Sequence, residues 1–105
     1  MTDVVLVLTT FPEDFDSAHL SKFAEDLVSS GRAACVSIME PMQSTYRWEG
    51  KVDVARERQL LIKTTVDRVT DVEAAVSAAH PYDLPEFLVV PVMGGSADYL
   101  TWVRD

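Results

Sequence analysis

A strand-like run followed by a helix-like run occurs twice in this chain, and that recurrence limits the fold more than any other feature. Val4 to Thr9 is a β-rich apolar run without polar alternation, the pattern of a strand buried on both faces. Phe11-Pro12-Glu13-Asp14 is expected to break it, and Asp14, Asp16 and Ser17 are each candidate N-caps for the first helix. Leu20, Phe23, Ala24, Leu27 and Val28 then recur at helical spacing as one apolar stripe. Gly31 is placed to stop that helix as a C′ glycine. The second pair begins with a long strand from Lys51 to Thr65, with Leu60, Leu61 and Ile62 as its most buried part. Asp67 is expected to cap the next helix, whose stripe is Val69, Val72, Val76 and Ala79. His80-Pro81 ends it, because a residue before proline resists the helical region.

Between the pairs, Ala33 to Trp48 reads as a long strand interrupted at Glu40-Pro41. Glu49-Gly50 turns it into the Lys51–Thr65 strand, so the two make a hairpin. Phe87 to Met93 is a further strand, Gly94-Gly95 turns the chain, and Ser96 can cap a last short helix carrying Tyr99, Leu100, Trp102 and Val103. The order is β-α-β-β-α-β plus a terminal helix. The expected fold class is therefore α+β, a ferredoxin-like sandwich with a long β-hairpin, formed by residues 1–105 as a single domain. Proline placement leads to the same topology. Prolines inside a sheet are confined largely to edge strands and bulges. Pro41 and Pro91 fall in the second and fourth strands, which the split β-α-β order puts at the edges.

The hairpin should be too long for its own domain. From Ala33 to Tyr46 a strand would run about 45 Å, whereas a compact chain of this size is roughly 34 Å across. An overhanging edge invites pairing unless it is blunted or covered. Pro41 provides a bend or bulge, but the overhang still carries Met39, Met42, Tyr46 and Trp48. Association with further copies of the chain is the simplest cover. A loop around residues 40–44 with a shorter hairpin is the alternative.

Charge and cysteine usage narrow the partners. A formal net charge of −8 repels phosphate backbones, so no nucleic-acid partner is expected. Hydrophobic residues make up 48% and charged residues 25%, which excludes disordered and collagen-like classes. The apolar run after Met1-Thr2-Asp3 is too short to span a bilayer and lacks signal-peptide flanks, so no membrane partner and a cytoplasmic location are expected. The single cysteine, Cys35, fits a reducing compartment.

Few residues carry obvious chemistry. Cys35 is either a small core hydrophobe or a soft ligand for Cu(I). His80 is either a helix-end histidine favoured by the dipole or an imidazole metal ligand. His19 falls off the apolar stripe and reads as solvated. Tyr46, Trp48, Tyr82, Tyr99 and Trp102 have the polar-tipped aromatic character of interfaces, as subunit packing or as the lining of a ligand cleft. Glu49, Lys63 and Glu86 read as ion pairs before acid–base groups, since no nucleophile–base pairing is visible.

Ala33-Ala34-Cys35-Val36, Tyr46-Arg47-Trp48-Glu49-Gly50-Lys51 and Leu61-Ile62-Lys63-Thr64 resemble signatures of the CutA divalent-cation tolerance family. His80-Pro81-Tyr82-Asp83-Leu84-Pro85-Glu86 resembles its HPY-acidic-x-PE motif, and Tyr99-Leu100 followed by Trp102 matches its C-terminal end. Together these cover essentially the whole chain in order. The resemblance implies a homotrimer similar in architecture to the PII signalling proteins, with a role in tolerance to copper and other divalent cations and no enzymatic activity. Copper or another divalent cation is then the expected ligand, with Cys35 and His80 as candidate metal ligands and no organic cofactor. The alternative is a PII-like sensor with a small molecule in an intersubunit cleft of Tyr46, Trp48, Glu49, Lys63, Tyr82, Glu86 and Trp102. One departure stands out: some members carry several cysteines proposed as metal ligands, and here Cys35 is alone.

Overall fold

In the computed structural model, which describes residues 2–105, the alternation of buried side chains along two central strands organises everything else. Strand β1 (Val4–Pro12) buries Val5, Val7, Thr9 and Phe11 on one face. Strand β4 (Lys51–Thr65) buries Leu60, Ile62 and Thr64 on the same face, because Val7 stands opposite Ile62 and Thr9 opposite Leu60 in the antiparallel register. Helices α1 (Ser17–Ser29) and α2 (Val69–Ala79) close over that face with Leu20, Leu27, Val72 and Val76. Their apolar stripes are legible at helical spacing and pack into this one layer, except Val28, which the expected stripe included and which is exposed.

Strands β2 (Cys35–Ile38) and β3 (Met42–Trp48) both pair antiparallel with β4, and β5 (Leu88–Pro91) pairs antiparallel with β1. The order β2-β4-β1-β5, with β3 extending along β4, is the one the split β-α-β arrangement requires. It leaves Pro41 and Pro91 on the two outer strands. The expected continuous strand from Ala33 to Trp48 is divided instead. Ile38 faces Leu60 and Met42 faces Glu57, so the outer strand spends one more residue than its partner across Met39-Glu40-Pro41. That is a bulge, placed where proline removes a ladder donor.

Two local expectations need correction, and a third, the cap of α1, is narrowed to one residue. Strand β1 does not break at Phe11-Pro12. It continues to Pro12 because β4 is long enough to pair with it, and Phe11 gains complete burial. Among the three candidate caps of α1, Asp16 serves, its carboxylate accepting from the His19 N–H at 3.0 Å. Asp67 does not cap α2: it accepts from the Thr65 hydroxyl within a short 3-10 turn (Val66–Arg68) that precedes the helix. Gly31 does terminate α1. At φ 78° it lets its own N–H reach the Val28 carbonyl and the Arg32 N–H reach that of Leu27, the paired bonds of a Schellman end.

The hairpin overhangs as its length required. Pairing with β1 ends at Pro12 opposite Glu57, with one further bond from the Glu13 N–H to the Arg56 carbonyl. Residues 51–55 of β4, about 16 Å of strand, therefore touch only β3. The extents are 44 × 28 × 23 Å and the radius of gyration is 14.4 Å, above the roughly 13 Å of a compact chain this size. Glu49 and Gly50 both take positive φ, 51° and 77°, the backbone that matches a two-residue turn to the strand twist.

The second face of the sheet has no helical layer over most of its width. Leu6, Leu8, Cys35, Ser37 and Leu61 alternate onto it and are only half-buried, while Leu88 is 54% and Val90 38% exposed. Helix α3 (Ala97–Arg104), capped by the Ser96 hydroxyl, covers only the end where β1 begins. The apolar run of β1 has the pattern of a strand buried on both faces, yet within one chain the Leu6 and Leu8 side is not covered. No helix among the described residues is long and apolar enough to cross a membrane.

Candidate functional site

The overhang of β3 leaves a gap beside the segment that links α2 to β5, and the gap is a groove of about 690 Å³. Ser44, Tyr46 and Trp48 of β3 form one wall, and residues 81–86 form the other. Thr10 and Glu57 form the floor. The volume lies within the range of small-molecule sites.

His80 fixes the second wall. The helix ends here because Pro81 follows, and His80 adopts extended backbone at φ −79°, ψ 136°. Its ring is buried against Phe11, with centroids 4.4 Å apart. Nε2 meets the Thr10 carbonyl, which can only accept, so this nitrogen carries the proton. Nδ1 then accepts from the Tyr82 N–H at 3.0 Å. Both nitrogens are engaged, and a metal could bind His80 only by displacing one of these contacts. In this structure the imidazole is a post that holds Tyr82 over the floor.

Glu57 is the floor's charged group. It is 91% buried, its exposure being 9%, and its Oε2 accepts from the Thr10 hydroxyl at 3.3 Å and the Tyr82 hydroxyl at 3.4 Å. Burial raises the Tyr82 phenol pKa above its ordinary value of 10.0, and the adjacent Glu57 charge raises it further. Glu86 is tied down differently: Gln59 donates to it at 2.9 Å and to the Thr9 carbonyl at 2.9 Å. The anticipated ion pairs of Glu49, Lys63 and Glu86 do not form among the described residues, where the pairs are Lys22–Asp26, Arg56–Glu13 and Arg104–Asp3.

The expected cleft residues divide into separate places. Tyr46, Trp48, Tyr82 and Glu86 meet in the groove. Glu49 sits at the hairpin tip, outside it. Lys63 donates to the Tyr99 hydroxyl at 3.0 Å, which raises its pKa, and Tyr99 packs on Trp102 with centroids 5.4 Å apart. The Lys63 ammonium lies 5.4 Å from the Tyr99 ring centre, so its close contact is with the hydroxyl end rather than the ring face.

Cys35 and His80 are not neighbours. Cys35 stands opposite Lys63, and His80 binds Thr10, which stands opposite Gln59. The two registers are four residues of β4 apart, about 13 Å. The Cys35 thiol is half-buried on the uncovered face, 3.9 Å from the Ser37 hydroxyl. Among the described residues no three His, Cys, Asp or Glu side chains are grouped to hold a metal ion. Sequence reasoning missed Glu57, Thr10 and Asp83 as groove residues. Alternation put Glu57 on the face of Gln59 and Leu61, but its burial comes from a loop that strand periodicity does not describe.

Residues 5–105 match the family model of the CutA1 divalent ion tolerance protein. A divalent-cation tolerance protein CutA of Pectobacterium atrosepticum is 40% identical over 104 residues, covering 99% of this chain and 92% of the relative. The crystal structure of CutA from Xylella fastidiosa superposes with a TM-score of 0.87 at 40% identity, covering 97% of this chain and 95% of the other. A divalent cation tolerance protein of Thermus thermophilus gives 0.88 at 37% identity, covering 96% and 95%.

Proposed function

The chain belongs to the CutA1 divalent ion tolerance family, and from that premise we propose that it is a homotrimeric, non-catalytic binding protein that responds to divalent cations, copper among them. The observation that carries this reading is the uncovered sheet face. Leu6, Leu8, Leu61, Leu88 and Val90 form a contiguous half-exposed apolar surface beside an overhanging hairpin, the kind of patch that marks an interaction site.

The same face bears on how a metal could be held. One chain supplies a single thiol, and the Cys35 surroundings do not complete a donor set: Ser37 Oγ is 3.9 Å away and the positive Lys63 stands opposite. The residues of one subunit therefore do not fit a metal centre. Because Cys35 lies on the face assigned to assembly, copies of the thiolate can converge where subunits meet, and thiolates favour Cu(I). His80, with both nitrogens engaged, supports the adjacent loop in this reading.

The test pairs light scattering with copper titration, as Cu(I) under reducing conditions and as Cu(II), against a competing chelator. Stoichiometric binding by a trimer, abolished in Cys35→Ser, is the expected result. A monomer throughout, or copper affinity indifferent to Cys35, refutes the direct-binding reading. A second reading is favoured by the groove itself: a small-molecule sensor with its ligand between β3 and residues 81–86.

A further inference from the structure

We infer that the groove between β3 and the Pro81–Glu86 loop binds an organic cation, a guanidinium carried on a flat apolar body. The inference rests on the second reading above, that the groove takes a ligand, and it names the ligand's class.

Charge is the first argument. The carboxylates of Glu57, Asp83 and Glu86 border the groove, and no lysine, arginine or histidine side chain lines it. Glu57 is the decisive one. It is nine-tenths buried and has no ion-pair partner among the described residues. Its two hydroxyl donors, at 3.3 and 3.4 Å, are long beside the roughly 2.5–2.7 Å of a charge-assisted O–H···O⁻ bond. A carboxylate withdrawn from water without a cation is costly, and a positive group entering the groove relieves that cost. The raised pKa of Tyr82 agrees, since it keeps the phenol a neutral donor above a negative floor.

Shape is the second argument. Tyr46, Trp48 and Tyr82 line the groove with aromatic rings, which attract cations over their faces and stack well on planar groups. A guanidinium is planar, weakly hydrated and forked, so it can meet both oxygens of one carboxylate while lying on a ring. A bare divalent ion is served less well. It needs several converging oxygens, whereas no three ligating side chains are grouped here and Glu86 is held by Gln59.

Preorganisation is the third. His80 anchors the Tyr82 backbone from below through Nδ1, and its own Nε2–H is fixed on β1. The loop wall is thus set before any ligand arrives, which lowers the ordering cost of binding.

The test is isothermal calorimetry on the full chain in its native assembly with two probes, benzoyl-arginine amide and benzoyl-citrulline amide. They share a shape and differ by a guanidinium against a neutral urea. The arginine probe is expected to bind at least about tenfold more tightly. Glu57→Gln should remove that advantage. Trp48→Ala, which alters a half-exposed hairpin residue and leaves the core intact, should weaken binding severalfold. Equal binding of the two probes would leave the groove a ligand cleft and overturn the cation inference alone. Binding of neither would overturn both. Arginine-probe binding that survives Glu57→Gln, with an unchanged circular dichroism spectrum, would place the cation elsewhere on the acidic surface and overturn the inference as well.

Discussion

Leu88→Ala tests the proposed assembly face separately from the fold. Leu88 stands opposite Leu8 on the uncovered sheet face and is 54% exposed in the single chain. The substitution removes three carbon groups, worth about 2.4 kcal/mol if fully withdrawn from water at about 0.8 kcal/mol each. The share still exposed in one chain, roughly 1.3 kcal/mol per copy, can be gained only in assembly. In the proposed trimer, three copies lose about 4 kcal/mol, or about a thousandfold in the trimer constant. The midpoint concentration of a trimer varies as the square root of that constant, so dilution should dissociate Leu88→Ala at about 30-fold higher protein concentration than the parent chain. Ile62→Val is the control. Ile62 is fully buried under the helices, so it should lose about 1 kcal/mol of fold stability and leave the dilution midpoint where it was. Sedimentation equilibrium over a dilution series measures both. If Leu88→Ala and Ile62→Val share one dilution midpoint, or if the parent chain is monomeric throughout, the assignment of this face to assembly is wrong.

Two further outcomes concern buried polar groups. The Thr9 hydroxyl is fully buried and has no hydrogen-bond partner among the described residues, so Thr9→Val, nearly the same shape without the hydroxyl, should raise stability by about 1 kcal/mol. A urea midpoint that falls instead would mean the hydroxyl is bonded in solution. Tyr82 has a folded pKa above its ordinary 10.0, so its stabilising contribution is complete below about pH 10 and is lost as pH rises through the higher folded value; Lys63, raised by its bond to Tyr99, acts in the same direction. Ultraviolet titration should show one tyrosine ionising late, and Glu57→Gln should restore it only in part because burial is the larger cause; three tyrosines titrating together would contradict this.

Where one periodicity ruled, the sequence was legible. The stripes of α1 and α2, the bounds of β4, the Gly31 stop and the edge position of the prolines each follow from local chemistry. Legibility failed where tertiary pairing outweighed a local signal. Phe11-Pro12 carries a breaker, yet the burial of Phe11 and the spare length of β4 carried the strand through it. Asp67 has the chemistry of a cap, but a neighbouring hydroxyl took its carboxylate first. In β1 the absence of polar alternation is not accounted for within one chain: the Leu6 and Leu8 side is apolar and uncovered.

The site was half legible for a related reason. Tyr46, Trp48, Tyr82 and Glu86 could be named because polar-tipped aromatics and the proline-bounded loop stand out in the sequence. Glu57 could not, since in a strand reading Arg56-Glu57-Arg58 looks like a solvated charge run. Its burial is produced by two events far apart in the chain: the halt of α2 at His80 and the bulge that carries β3 beyond β1. Both events also shape the uncovered sheet face. Met42 and Glu57 form a register pair, and Glu57 alternates onto the side of Leu61 and Lys63, the side Cys35 shares. Groove floor and uncovered face are therefore neighbouring parts of one sheet surface, with Gln59, bonded to Glu86 of the loop, between them. Copies packed on that surface would press against the hairpin wall of the groove, and a ligand wedged behind that wall would bear on the packing. Linkage then requires any effect of assembly on ligand affinity to be matched by an equal effect of ligand on assembly. In the proposed reading, this gives the protein a physical means of reporting what it has bound.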